Sequence, residues 1–440
     1  MDRTSCCMAG GGPAGMMLGL LLARAGVEVT VLEKHGDFLR DFRGDTVHPS
    51  TLRLLDELGL GEAFARLPFA KLREMRAQIG DTTVVMGDMR HLPGRHKYLA
   101  MVPQWDFLDL LARAAAEEPH FTLRMHTRVT GLRTTDGRVT GVRFVDEHGA
   151  AGELAAALTV ACDGRDSVVR AAAGLRQQQF EVPMDVWQVR VNAPPSSQLL
   201  PHSRLRSRGG TPMRRGDPHS DDLKSGRVFA RFGGGQAAVT MDRGTYFQTS
   251  YLIGKGRDAE LRRHDIQWLR DRLGALFDWD DRVTGAIGSW DDVKLLEVTF
   301  GRLARWYRPG LLCLGDAAHT MSPVGGVGVN LALQDAVAAA RILAQPLLRG
   351  VPGVADLARV QKRRQLPVAV VQKTQQAEHT MIRAALDGTL DADRLPVPMR
   401  LLRRVPPLRT VTGYLGGIGV RPERAPGFAR VRPGARPRRG

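Results

Sequence analysis

The stretch that most narrows what this chain can fold into is Gly10-Gly11-Gly12-Pro13-Ala14-Gly15. A short apolar strand over residues 4–9 runs into it, a helix rich in Leu and Met over residues 13–25 leaves it, and residues 28–33 alternate as a second strand ending at Glu33. Strand, glycine turn, helix and strand make a compact βαβ opening. In a GxGxxG turn the first two glycines let the backbone bend sharply and approach a pyrophosphate, and the third lets helix and sheet pack closely. Those roles fall on Gly10, Gly12 and Gly15, while the N-terminus of the helix that opens with Pro13 and Ala14 offers the unpaired N–H groups of its non-proline residues to phosphate. Glu33 is placed to accept from ribose hydroxyls, with Lys34 beside it. A glycine turn that serves packing alone is the competing reading, and the surrounding strand, helix and acid weigh against it.

Beyond this opening, residues 49–58 and 106–118 have helical spacing and residues 121–125 read as a strand. Residues 128–133, 138–146 and 152–157 alternate around Asp136-Gly137 and His148-Gly149, which predicts an antiparallel meander. The apolar run 158–162 reads as a separate buried strand returning to the first sheet. From about 182 to 252 the pattern becomes a second sheet, interrupted by a Pro-, Ser- and Arg-rich loop over 194–224. Residues 258–276 are helical, 310–314 a strand, and 329–348 and 356–386 long helices.

The expected fold is therefore α/β: a Rossmann-type nucleotide-binding fold with a β-meander, a second, mostly antiparallel sheet domain, and a C-terminal helical segment. The first domain is expected over 1–73, 98–180 and 278–350, the second over 74–97 and 181–277, the helical segment over 351–415, and a disordered basic tail over 416–440.

The net charge of +17 raises nucleic acid as a partner, but the excess is arginine scattered through helices and gathered in the Pro- and Gly-rich tail, so none is expected. Four cysteines without CxxC spacing argue against a disulfide framework and a metal site. No run of about 18 uncharged apolar residues occurs, so a transmembrane segment is not expected and a cytoplasmic location is.

Two further motifs complete the set. One is Ala161-Cys162-Asp163-Gly164-Arg165-Asp166-Ser167-Val168-Val169-Arg170; the other runs from Gly315-Asp316-Ala317-Ala318-His319 through Pro323 to Gly325-Gly326-Val327-Gly328-Val329-Asn330. With the first motif, in this order, the chain resembles the FAD-dependent aromatic hydroxylases, the group A flavoprotein monooxygenases typified by para-hydroxybenzoate hydroxylase, over roughly residues 3–390. The resemblance implies FAD as cofactor, with Asp163 and Asp316 serving the flavin, the latter through the ribityl chain. Gly164 and the loop residues Pro323, Gly326, Val327, Gly328, Val329 and Asn330 belong to the same contact set. Arg43, in Phe42-Arg43-Gly44, and Gln104 match positions that also contact FAD. It implies NAD(P)H as co-substrate without a domain of its own, hydride transfer to flavin N5, oxygen addition at C4a, and attack on the distal oxygen by an electron-rich substrate carbon.

Elementary electrostatics supports the third motif independently. A glycine turn leading into a long helix aims N–H groups and the positive end of the helix dipole at its ligand, and reduced flavin carries negative charge near N1 and the C2 carbonyl. An ordinary helix cap is the alternative. No second GxGxxG follows a strand, which disfavours enzymes with two nucleotide domains, and the thioredoxin-like domain of larger phenol hydroxylases is not expected. Val327 stands where many aromatic hydroxylases carry glutamine, which leaves quinones, polyketides and other electron-rich rings open beside simple phenols.

The substrate wall is expected from the second sheet, where Tyr246, Gln248 and Ser250 share one face of a strand. Tyr246 and Gln248 are the candidate substrate contacts, and Arg231 and Lys294 candidate partners for an acidic group; a half-exposed sheet face and solvated charges are the competing readings. His48 and His319 titrate in the range of a general base, yet a structural hydrogen bond is the commoner role, and the base stays unassigned. The expected partners are a small organic substrate and O2, with a homodimer left open. The rival functions are a flavin-dependent reductase of an unsaturated or isoprenoid substrate and a flavin-binding accessory protein without turnover.

Overall fold

The computed structural model describes residues 2–39, 46–192, 228–243, 246–392 and 395–431. The strands Leu311–Cys313, Ala151–Ala161, Asp2–Ala9, Val29–Leu32 and Phe121–Arg124 pair in parallel in that order, with Tyr307–Arg308 antiparallel at one edge. Helices Pro13–Arg24 and Gly328–Leu348 pack against each other in the large core around this sheet.

The meander forms as expected, but its third strand does not end at residue 157. Ala151–Ala161 is one strand: its first half pairs antiparallel with Arg138–Val145, and from Leu154 onward it also pairs in parallel with Asp2–Ala9. Nothing between Ala157 and Leu158 breaks a strand. Burial alternates in the first half and becomes continuous in the second, where the strand runs inside the large core. The alternation that suggested two strands is a change of environment along one.

The second sheet runs Lys294–Leu296, Met184–Asn192, Tyr246–Gly254, Gln236–Asp242, Val228–Gly233, Glu74–Ile79 and Thr82–Asp88. All neighbours are antiparallel except Val228–Gly233 beside Glu74–Ile79. Trp187, Val189, Val191, Phe247 and Tyr251 face a helical layer that includes Leu269 and Leu273. Strand periodicity then turns Val186, Gln188, Gln248 and Ser250 the other way. The expected helix over 258–276 is two helices, Asp258–Leu261 and Ile266–Phe277, because the Asp265 side chain accepts from the Gln267 N–H and starts the second one afresh. The loop expected at 194–224 lies outside the described residues.

Three helices follow the core helix: Val354–Leu386, Val397–Arg404 and Pro406–Gly417. Disorder from residue 416 does not hold as far as Val431. Glu423 is 1% exposed and meets Arg341, Arg363 and Arg364; the Ala425 N–H donates to Glu57; Val431 lies against Gly59. Arginine in this segment is thus balanced by buried and half-buried carboxylates, which composition does not reveal. Among the described residues, one helical stretch, Val324–Leu348, has the length and apolarity to cross a membrane, but most of it is buried in the core and it carries Asp335 in an ion pair.

Candidate active site

The glycine turn closes on itself as the motif requires. Gly10 has φ +104°, and a side chain there would meet the Cys162 carbonyl oxygen at 2.5 Å; one at Gly15 would meet the Gly10 carbonyl oxygen at 2.0 Å. A methyl on Gly12 would meet nothing within 4 Å, so the space above the helix start is open. That helix has Pro13 in its first turn and no side-chain cap, which leaves its N–H groups for a ligand. Glu33 is 8% exposed; its Oε2 accepts from the Gly11 N–H at 2.8 Å and its Oε1 from the His35 N–H at 3.1 Å. The carboxylate braces the turn from the next strand while remaining on the cavity wall.

Above the parallel sheet, Asp163 and Asp316 reach the same cavity from two different strand ends. Asp163 accepts from the Ser167 hydroxyl and from the Val169 N–H, and burial pushes its carboxyl above the ordinary value despite those bonds. Asp163 therefore braces the start of the short helix Val168–Ala172, whose cap is Ser167, as well as facing the cavity. The glycine loop turns at Gly325 and Gly326, with φ +75° and +61°, conformations that favour glycine. A side chain on Gly326 would also strike the Thr46 hydroxyl. Asn330 points away from the cavity: its Oδ1 accepts from Thr51 at 2.6 Å and Ser50 at 3.1 Å, tying the loop to helix Pro49–Glu57. Gly15 and Val327 also lie behind the wall, whereas Gly10, Gly12, Pro13, Ala14, Glu33, Lys34, Gln104, Asp163, Gly164, Asp316, Pro323, Gly326, Gly328 and Val329 line it. Arg43 lies outside the described residues.

Several side chains that hold this loop gave no motif in the sequence. His48 has Nδ1 2.7 Å from the Gly416 carbonyl oxygen and Nε2 3.1 Å from that of Gly326; burial holds its pKa below the ordinary value against the pull of both carbonyls. Gln375 donates to the Ser322 and Val324 carbonyls at 2.9 and 2.8 Å and accepts from the Ser322 N–H. Behind the GD segment, the wholly buried Asp335 meets His319 Nε2 at 2.6 Å and Arg364 Nε at 2.9 Å and accepts from the Gly315 N–H at 3.3 Å. Burial alone would raise the Asp335 carboxyl; His319 and Arg364 outweigh it and hold the group below its usual range. His48 and His319 both bond to the protein and neither lines the cavity, and the polar spacing of Gln372, Gln375 and His379 was the only sign that the long helix faces a loop.

The cavity continues from the nucleotide end to the second sheet and measures about 1250 Å³. Gln188, Gln248, Ser250 and Lys294 line it, so the face carrying Gln248 is the inner one. Ser250 donates to Gln188 Oε1 at 3.0 Å, and Arg243 donates to Gln248 Oε1. Tyr246 and Arg231 are not on the wall. Tyr246 lies at the strand's start with the Arg190 guanidinium over its ring, and Arg231 donates to the Leu276 carbonyl and covers the Phe277 ring. Opposite the sheet, the long helix presents Glu378, Met381 and Ile382 to the same space. The half-buried Glu378 has no hydrogen-bond or ion-pair partner among the described residues, and burial pushes its carboxyl up to about 7.

A family model described as FAD binding domain matches residues 3–374. The chain belongs to that FAD-binding family. A relative from Streptomyces rimosus, 6-methylpretetramide 4-monooxygenase, is 33% identical over 413 residues, 93% of this chain and 91% of the relative. Anhydrotetracycline monooxygenase from the same organism is 30% identical over 76% of this chain and 61% of its own length, so that relative extends well beyond the match. Among solved structures, the anhydrotetracycline hydroxylase of Streptomyces rimosus superposes with a TM-score of 0.70 at 25% identity, covering 95% of this chain and 77% of that one. The protein is accordingly an FAD-dependent monooxygenase of the aromatic-hydroxylase type, for which NAD(P)H is the usual reductant. The open space at Gly12, the braced Glu33 and the uncapped helix start fit the adenosine diphosphate end of that cofactor, and the loop at Gly325 and Gly326 fits its flavin end.

Proposed function

We propose that this flavoprotein uses NAD(P)H and O2 to hydroxylate a polycyclic, electron-rich aromatic substrate of the polyketide class. The observation that carries the reading is the single cavity running from the glycine turn to an inner sheet face. At about 1250 Å³ it exceeds the roughly 300–1,000 Å³ of a one-ligand pocket, which leaves room for a dinucleotide and a second molecule together. Seven of the protein's fifteen methionines, Met75, Met86, Met101, Met184, Met241, Met321 and Met381, line it. Thioether walls are apolar and adaptable and make favourable contacts with aromatic rings, which suits a broad, flat substrate better than a small charged one. The name of the relative at 33% identity, a pretetramide monooxygenase, points to the same class.

In this reading Gly10, Gly12, Pro13, Ala14, Glu33 and Lys34 hold the adenosine diphosphate, with Gly15 letting the turn close behind them, while Gln104, Asp163, Gly164, Asp316, Pro323, Gly326, Gly328 and Val329 hold the ribityl chain and ring and Asn330 anchors that loop from behind. Bound FAD supplies hydride acceptance and activation of O2. The rest is done by the protein: the methionine walls keep bulk water from the reacting face, and Gln188, Gln248 and Ser250 orient the polar edge of the substrate. Lys294, whose Nζ donates to the Asp291 carbonyl at 2.7 Å, offers a cation at the far strand. Four unbonded cysteines fit a reducing cytoplasmic location, where NAD(P)H is also found. The test is turnover under 18O2 with hydroxylated tricyclic and tetracyclic aromatics, read by mass spectrometry. Substrate-dependent NAD(P)H oxidation with one 18O atom in the product is expected; reduction or cyclisation products free of 18O would replace oxygenation with another flavin-linked activity.

A further inference from the structure

We propose that Glu378 is the proton acceptor for a hydroxyl group on the aromatic substrate. The inference rests on the aromatic-substrate reading and adds to it the residue that removes the phenolic proton. The long helix Val354–Leu386 uses successive turns of one side for different tasks. Gln372 donates to the Gly301 carbonyl at 2.9 Å, Gln375 clasps Ser322 and Val324 of the flavin-facing loop, and Glu378 comes one turn later. That spacing puts Glu378 one turn beyond the residue that holds the loop and on the wall of the cavity that the loop and the second sheet share, with Met381 and Ile382, which pack with Val324 of the loop, on the same wall.

A carboxylate in such a place needs a reason, because an unpaired acid among apolar side chains is costly unless it is neutral or bound. The surrounding elements bring it no counter-charge. Strand Gln236–Asp242 presents Val239 and Met241 to the cavity, and strand Tyr246–Gly254 presents Gln248, Ser250 and Leu252. Helix Gly328–Leu348 keeps Asp335 paired with His319 and Arg364. On its own helix, His379 is held neutral by burial and Arg383 pairs with Glu181 outside. Of the charged groups on the substrate side, Arg76 is paired with Glu74, and Lys294 and Glu297 belong to the far strand and its end. Burial is the one resolved cause of the carboxyl's displacement to about 7, the range in which a carboxylate works as a base near neutral pH.

In the step, the substrate O–H bond breaks and a carboxyl O–H forms. The electron pair left on the phenolic oxygen enriches the ring carbon that attacks oxygen, and the proton leaves to solvent after product release. No oxidant beyond the reaction's own O2 enters this transfer.

The test uses oxidised holoenzyme without NAD(P)H, so that no turnover occurs, and two probes: 2-naphthol, which stays neutral between pH 5.5 and 8.5, and 2-methoxynaphthalene, which has no proton to give. Binding is read from perturbation of the flavin absorption. Wild-type enzyme should bind 2-naphthol about tenfold more tightly at pH 8.5 than at pH 5.5, the worth of a hydrogen bond to a charged acceptor, with a midpoint near 7. The methoxy compound should show no such dependence, and E378Q should bind both without a midpoint. Equal pH dependence for the two probes in wild-type enzyme, or a midpoint that survives in E378Q, overturns the assignment while leaving the aromatic-substrate reading intact. Failure of both probes to bind at any pH removes the aromatic reading and the assignment with it. The contrast between probes in unmodified enzyme decides the matter even if E378Q does not retain flavin.

Discussion

Asp335→Asn removes one charge from the centre of the FAD-binding half without changing its shape, and the structure sets the size of the loss. The carboxylate is fully buried between His319 Nε2 at 2.6 Å and Arg364 Nε at 2.9 Å, and Arg364 is itself 1% exposed. Breaking a buried pair by neutralising one partner costs about 3–5 kcal/mol, because the other charge is left in a poor medium. Arg364 keeps Glu423 at 3.8 Å, which places the expected loss at the lower end. With an unfolding entropy of roughly 2.1 cal/mol/K per residue, this corresponds to a fall in Tm of about 3–5 °C for a chain of 440 residues. The Asp335 carboxyl is depressed in the folded protein, so its contribution is fully present above the unfolded value of 3.8 and is lost as pH falls through the folded value. The Tm difference between wild type and D335N should thus be the same at pH 8 and pH 5 and narrow only below about pH 4. Calorimetry across that range measures it. Loss of the Gly315 contact should also weaken FAD by about fivefold, one ordinary hydrogen bond, in a flavin-release titration. A D335N protein within 1 °C of wild type at neutral pH, with unchanged FAD affinity, would refute the idea that this ion pair props the GD segment.

Two glycines three residues apart should fail differently. G15A puts a methyl 2.0 Å from the Gly10 carbonyl oxygen and should give little folded protein, whereas G12A, with φ −71° and nothing within 4 Å, should fold with wild-type Tm in the absence of FAD yet bind it at least about tenfold more weakly by fluorescence titration, because the space it fills is the ligand's. E378Q should be the more stable protein at high pH. The Glu378 carboxyl rises from 4.5 to about 7 on folding, so the folded state holds the proton and wild-type stability falls as pH rises through 7; the gap should grow between pH 5 and 8.5 to roughly 1–3 kcal/mol after allowance for water at a half-buried site, or about 1–3 °C, and a gap that shrinks with pH would reverse the assignment of its charge state.

Local rules made the nucleotide half of this protein readable. The turn at residues 10–15 is dictated by steric limits that act within a few residues, and the same limits mark Gly325 and Gly326. What the sequence hid depends on distant partners. Tyr246 and Gln248 share a strand face, yet only Gln248 reaches the cavity, since Tyr246 lies at the strand's edge beside Arg190. Asn330 falls inside a cofactor motif but spends its side-chain oxygen on Thr51 and Ser50, 279 and 280 positions away. Asp335 and Glu378 look alike as acids in helices; one is ionised by two neighbours and the other kept weakly acidic by having none.

The C-terminal segment shows why charge counted along a chain misleads. Arg421, Arg424 and Arg430 among prolines and glycines read as a solvated tail, yet the same stretch contains Glu423, and one buried carboxylate there gathers Arg341, Arg363 and Arg364 from two long helices. Arg364 in turn holds Asp335, which holds the Gly315 N–H, one residue from Asp316 on the cavity wall. A second tie runs from Gly416 through His48 to Gly326. Residues far beyond the motifs thus reach the cofactor site by two separate routes, one through ion pairs to the GD segment and one through hydrogen bonds to the flavin loop, and truncating the chain before residue 416 should loosen both sides of the site at once.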